Sequence, residues 1–326
     1  MPLIGTLEQF DIQLLDFFIV LAASGLVLFL VLATLCTPLF GLMTECVYTV
    51  RRKAFHDKCA LQISQSALAV GLFILIVLVG GAAAAVYQLQ PELLEPPLVW
   101  RPLIFLSPPL AALALLILYL ASWRLLKKVR VLHVFFGLLP ALLFLAVLFC
   151  GLLLLANMQQ PMLFTLLWND PLAVAIVLVE DFLQTPQLWA LFGYLFCTGL
   201  AAGGALAQIW LILRRHKADY GRDYYTFAMH YCARFALAFT VFATGLAGGV
   251  YWLLRQSVPV ELSQPHDPGI LLIAAALPLC SCILWLVIGN SETPLRHKPG
   301  VFFACFFLYI ALCAQILMLM TTFPQA

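Results

Sequence analysis

Long apolar blocks separated by short polar connectors run the length of this chain. The blocks are continuous, and a helix needs about 20 apolar residues to cross a hydrocarbon layer of roughly 30 Å. The strict alternation that a transmembrane β-strand needs is missing. The pattern predicts helical spans at 17–50, 60–88, 102–123, 131–157, 187–213, 224–254, 269–289 and 300–322. The first is too long for one straight crossing. It is expected either to begin along the membrane interface or to bend near Pro38.

The connectors alternate in charge. "RRKAFHDK" (51–58), "RLLKKVR" (124–130), "RRHKADYGRD" (214–223) and "RHK" (296–298) fall on one side. The other side carries "QLQPELLEPP" (88–97), Asp170, Glu180, Asp181 and "VELSQPHD" (260–267). Positive charge in short loops marks the cytoplasmic face. The expected location is a bacterial inner membrane, crossed several times, with both termini in the periplasm.

The pattern also repeats. "PLIGTL" at 2–7 answers "PMLFTL" at 161–166, and Arg51-Arg52 answers Arg214-Arg215. Val86-Tyr87 answers Val250-Tyr251, and "VFF" at 134–136 answers "VFF" at 301–303. The offsets drift slowly through 159, 163, 164 and 167. Shared order and offset indicate a duplication, four spans plus four. An even number of spans gives both halves one orientation, a parallel repeat. The expected fold is therefore an all-α membrane protein of eight transmembrane helices, a parallel duplication of a four-helix bundle. Residues 1–157 form the first repeat, 158–186 a periplasmic or interfacial linker, and 187–326 the second repeat.

Composition sharpens this. The chain is 64% hydrophobic and 10% charged over 326 residues, too apolar for an ordinary soluble domain. The formal net charge of +2, with no basic stripe outside short loops, gives no reason to expect a nucleic-acid partner. The ten cysteines are scattered, and the closest pair, Cys280 and Cys282, does not have zinc spacing. No C-x-x-C-H motif for c-type haem attachment is present. The N-terminus lacks a basic start and a cleavage site, so the first apolar segment is expected to be retained.

At residues 42–81, "LMTECVYTVRRKAFHDKCALQISQSALAVGLFILIVLVGG" resembles the first two spans of subunit I of the cytochrome bd quinol oxidases. There, a helix ending in an MET-VY run meets a short basic loop and a returning Gly-containing helix. "LAAGGALAQIWLILRRHKADYGRDYYTFAMHYCARFALAFT" (200–240) is similar to the later helix pair of that subunit. The resemblance implies a four-helix-bundle fold of that superfamily. The family's two haem-binding histidines would fall near Val27 and Leu191, where this chain has none, and its long quinol-binding loop is missing. Haem b is therefore not expected in this chain.

Polar groups inside the spans are the candidates for chemistry, because each costs several kcal/mol unless paired or hydrated. Arg234 lies about ten residues into its span, roughly 15 Å deep, and His230 sits one turn away on the same face. Glu45 lies near the end of the first span, and its repeat counterpart is Gln208. Gln62, Ser64, Gln65 and Ser66 open the second span, with Ser66 answering His230. Two readings stand side by side. Glu45, Gln208, His230 and Arg234 line a proton path or a quinone headgroup pocket. Alternatively, Arg234 pairs with Glu45, and His230 bonds a backbone carbonyl, simply to hold the halves in register. If the chain does bind a haem, His133 and His230 are the pair that would clamp it.

These features lead to an expected role as the membrane-integral subunit of a respiratory electron-transfer complex. It would anchor redox partners, a multihaem cytochrome or an iron–sulfur protein, among membrane lipids, and bind a quinone. The alternatives are a small-molecule or ion transporter, which parallel repeats also suit, and a purely structural anchor.

Overall fold

The structure, a computed structural model, describes residues 2–89, 100–156, 177, 179–180, 182–217, 220–257 and 268–322. Among the described residues all regular structure is helical. The long helices are α1 (Pro2–Arg51), α2 (Ala54–Leu89), α3 (Trp100–Ser122), α4 (Arg130–Ala156), α5 (Pro186–Arg214), α6 (Arg222–Ser257), α7 (Pro268–Asn290) and α8 (Lys298–Thr322). Seven of them carry stretches long and apolar enough to cross a membrane, while α3 offers a shorter one, Leu106–Ser122. Helix α1 runs unbroken through Pro38. Glu92, Glu95, Asp170, Asp181, His266, Asp267 and most of the linker 158–186 lie outside the described residues.

The chain is a membrane protein by its surface as well as its helices. Large apolar side chains face outward, among them Ile76 at 72% exposure and Leu272 at 69%, on surfaces that only lipid or a partner would cover. All Lys and Arg except Arg101, Arg234 and Arg255 gather at one end of the molecule, where α1, α3, α5 and α7 finish and α2, α4, α6 and α8 begin. That end is called the basic face below.

Helix neighbours follow one pattern in each half. Helix α1 packs on α2 and α4, α2 on α3, and α3 on α4; α5 packs on α6 and α8, α6 on α7, and α7 on α8. Each half is thus a ring of four helices closed by its first and last members. The rings meet where α1 lies along α5. Helix α5 is lined with small buried residues, Gly199 to Ala205, which let the backbones approach closely. A Cβ on Gly199 would stand 2.7 Å from the carbonyl oxygen of Leu32, a backbone atom that cannot rotate away. Gly203 lies against Thr37 in the same seam, and Gly204 lies against the backbone of Ala236 on α6.

Toward the basic face the seam becomes aromatic and polar. Phe40 stacks on Phe235 with ring centroids 3.6 Å apart and on Tyr231 at 5.9 Å. Tyr224 Oη donates to Gln62 Oε1 at 2.7 Å, and Arg214 Nη1 donates to Gln65 Oε1 at 3.0 Å. The polar start of α2 therefore bridges the halves. At the far end, Tyr309 of α8 donates to the Ala22 carbonyl of α1 at 2.7 Å.

Gly199→Val should separate α1 from α5 and destabilise the protein by about 1–3 kcal/mol, the usual cost of overpacking. Gly248, whose Cβ position is open, should accept alanine with little change. Thermal unfolding of the two variants in one detergent checks the contrast.

Candidate functional site

The polar groups of the first half converge on Glu45, which is fully buried near the end of α1. Its Oε2 accepts from Tyr119 Oη on α3 at 2.5 Å. Its Oε1 lies 2.5 Å from His133 Nδ1 and accepts from Arg130 Nη1 at 3.4 Å, both on α4. Arg130 Nη2 donates to Asp57 Oδ1 at the start of α2, at 2.5 Å. All four helices of the first ring contribute. The side chains of Glu45 and His133 are inaccessible, Arg130 is 4% exposed and Asp57 is 20% exposed, so Asp57 forms the watered edge of the cluster.

Local structure explains the convergence. Arg130 and His133 occupy the first turn of α4, where the helix dipole disfavours cations. Carboxylates from α1 and α2 offset that positive end. Aromatic rings seal the pocket: Tyr119 stacks on His133 with centroids 4.5 Å apart, and Trp123 meets the imidazole edge-on at 4.8 Å. The Arg130 guanidinium sits 5.1 Å from the Trp123 ring centroid and 5.4 Å from that of Tyr48.

The hydrogen-bond geometry fixes a proton count. His133 Nε2 faces the carbonyl oxygen of Tyr119 at 3.2 Å, an atom that only accepts, so Nε2 carries a hydrogen. At 2.5 Å, Nδ1 and Glu45 Oε1 also need one hydrogen between them. The pair is therefore either imidazolium–carboxylate or imidazole–carboxylic acid, and in both forms it is neutral overall. Arg130 pairs with Asp57, so the formal charges of the cluster balance. A low-dielectric interior tolerates that arrangement where it would expel a net charge.

His230 and Arg234 do something different. His230 Nε2 lies 2.7 Å from the Ser291 carbonyl, and Arg234 Nη2 donates to the Gly289 carbonyl at 3.2 Å. Helix α7 ends at Asn290, so the Gly289 carbonyl belongs to its last turn, which lacks partners within the helix, and the Ser291 carbonyl lies just beyond it. Two donors one turn apart on α6 satisfy the C-terminus of α7 and complement its dipole. The Arg234–Glu45 pairing expected from sequence is absent, because Tyr119, His133 and Arg130 already occupy the carboxylate. His230 bonds a backbone carbonyl, as the second of the two sequence readings has it, but the carbonyl is that of Ser291 in the same half, so the bond does not hold the halves in register.

Gln208 is fully buried on α5, and neither of its amide atoms has a partner among the described residues. It shares no hydrogen bond with Glu45, His230 or Arg234. His133 and His230 lie in different rings. With both His133 nitrogens engaged by Glu45 and Tyr119, that imidazole does not fit an axial haem ligand as it stands.

A second feature lies in the other ring, away from the basic face. A cavity of about 170 Å³ opens between α5, α6, α7 and α8, walled by Leu191, Ala247, Val250 and Leu271. Its polar spot is Tyr194, whose hydroxyl donates to Gln315 Oε1. Gln315 Nε2 in turn reaches the Ala274 carbonyl at 3.5 Å. Sequence reasoning missed Arg130 and Tyr119 as partners of Glu45, and Asp57 as the partner of Arg130. Arg130 and His133, i and i+3 on an N-terminal first turn, were the available signal: basic residues there call for acids nearby.

No known family model, curated protein or solved structure matches the chain.

Glu45→Ala should leave Arg130 and His133 buried without their acceptor and cost about 3–5 kcal/mol. Arg234→Ala, which removes one capping bond to a helix end, should cost about 1 kcal/mol. Comparative thermal melts of the two variants test the ranking.

Proposed function

We propose that this chain is the membrane-integral subunit of a respiratory electron-transfer complex, binding a quinone and supplying it with protons. The observation that carries the proposal is the 2.5 Å contact between His133 Nδ1 and Glu45 Oε1 in a buried cluster, a separation at which the two would share a proton. Releasing that proton leaves one uncompensated negative charge in the buried cluster, so release has to be coupled to uptake of a replacement proton. Arg130 and Asp57 extend from the pair toward the basic face, which gives the proton a polar route. Quinone reduction consumes two electrons and two protons, so such a subunit needs a proton store.

The cavity in the second ring supports the quinone half of the reading. Its apolar walls suit a prenylated ring, and the Tyr194–Gln315 pair offers a donor and an acceptor to carbonyl oxygens. The chain carries no redox motif, so electrons would come from a partner, a multihaem cytochrome or an iron–sulfur protein. No haem is assigned to this chain. The matching helix neighbours of the two rings support eight spans built as a 4+4 duplication, as the resemblance to cytochrome bd subunits implies. The basic face would be cytoplasmic and the termini periplasmic, in a bacterial inner membrane.

The test is quinone analysis of the complex purified with its partners in mild detergent, followed by turnover. Quinone should co-purify, and Tyr194→Phe combined with Gln315→Leu should deplete it. Glu45→Gln should slow quinone-linked turnover about 100-fold, in the range of lost general acid–base catalysis, while leaving bound quinone in place. Proton or solute flux in liposomes from this chain alone, without quinone, would sink the reading in favour of transport.

A further inference from the structure

A second concave site lies at the basic face of the second ring. A pocket of about 340 Å³ is lined by Arg215, Arg222, Thr226, Thr293, Arg296 and Lys298, with Leu295 completing the wall. Four cations thus face one hollow, and none forms an ion pair with a carboxylate among the described residues. The nearby acids Asp223 and Glu292 do not line it.

Arg222 opens α6 and Lys298 opens α8, so two helix N-termini turn their positive ends toward the four positive side chains. Helix α8 has no acid in its first turn, while α6 has Asp223. Arg222, Arg296 and Lys298 are exposed, so water and salt screen their mutual repulsion, and an anion seated in the hollow would be attracted by all four. Two threonines supply hydroxyl donors, and guanidinium forks match the oxygens of a phosphate.

The wall is also held in shape. The α7–α8 connector folds into a single 3-10 turn, Pro294–Arg296, packed on α6. Ser291 organises it: its carbonyl meets His230 Nε2 at 2.7 Å, and its hydroxyl accepts from the Thr293 amide at 3.1 Å and lies 3.0 Å from His297 Nε2. Pro294 is buried beneath. His230 therefore fixes the loop that presents Thr293 and Arg296, a role independent of the proton site in the first ring.

We propose that this pocket binds a phosphate-bearing anion, seated between the starts of α6 and α8. Two sources share that chemistry: the headgroup of an anionic phospholipid in the adjoining leaflet and a soluble phosphate compound.

The experiment uses the full-length chain, delipidated in neutral detergent. Its unfolding temperature is measured with inorganic phosphate against chloride at equal ionic strength. It is measured again in nanodiscs of phosphatidylcholine with and without phosphatidylglycerol, and retained lipid is counted by native mass spectrometry. A rise of about 5 °C with phosphatidylglycerol alone, with bound lipid retained, supports the site and assigns it to lipid. A comparable rise with inorganic phosphate supports the site and assigns it to a soluble ligand. Both gains should vanish in R222Q/R296Q and in K298Q, which alter exposed side chains, and persist in R124Q at the same face of the first ring. No rise with either probe, or a rise that survives R222Q/R296Q, or one lost equally in R124Q, overturns the proposal.

Discussion

The close approach of α1 to α5 is the constraint on which the rest of the structure depends. Between apolar helices in lipid there is no hydrophobic drive, so association rests on dispersion contacts and a few polar bonds. Gly199, Gly203 and Gly204 remove side-chain bulk where α1, α5 and α6 meet, and the Leu32 carbonyl and the Ala236 backbone fill the space. Once that seam is closed, each four-helix ring has its first helix fixed. The second and fourth helices of each ring pack against its first, and the third packs against both of them.

The two rings use their interiors differently. The first encloses Glu45, His133, Arg130 and Tyr119 in an aromatic box in which the carboxylate meets three partners. The second keeps its core neutral at the corresponding depth, with Gln208, and opens an apolar cavity farther along. Its ionisable residues serve a helix end: Arg234 satisfies a carbonyl of the last turn of α7, and His230 the Ser291 carbonyl just beyond it. The two interiors can differ in this way because each ring closes on its own first and last helices. Charge in one core does not have to be answered in the other.

The contacts between the rings at the basic face tie the two together. Gln62 and Gln65 on α2 bind Tyr224 and Arg214, and the Lys58 ammonium lies 4.7 Å from the Tyr220 ring centroid. Asp57, the partly accessible edge of the Glu45 cluster, belongs to this same opening of α2. Local order around that edge therefore depends on the second ring even though the cluster itself lies in the first.

The sequence by itself determined the class of protein, the helices and their common basic end. These follow from the length of apolar runs and from the charge of connectors, which are local properties. It also singled out Glu45 and His230 as residues needing a partner, because an isolated polar group in a span is expensive wherever it sits. Which partner each one found was decided only by tertiary structure. Glu45 and Arg234 looked complementary as charges, yet a carboxylate has few acceptor positions, and Tyr119, His133 and Arg130 reach them first from adjacent helices. Arg234 met the end of α7 instead, since an arginine is satisfied as well by backbone carbonyls as by an acid. Spacing along one helix gives the face on which a residue lies; only the packing of four helices says what stands opposite.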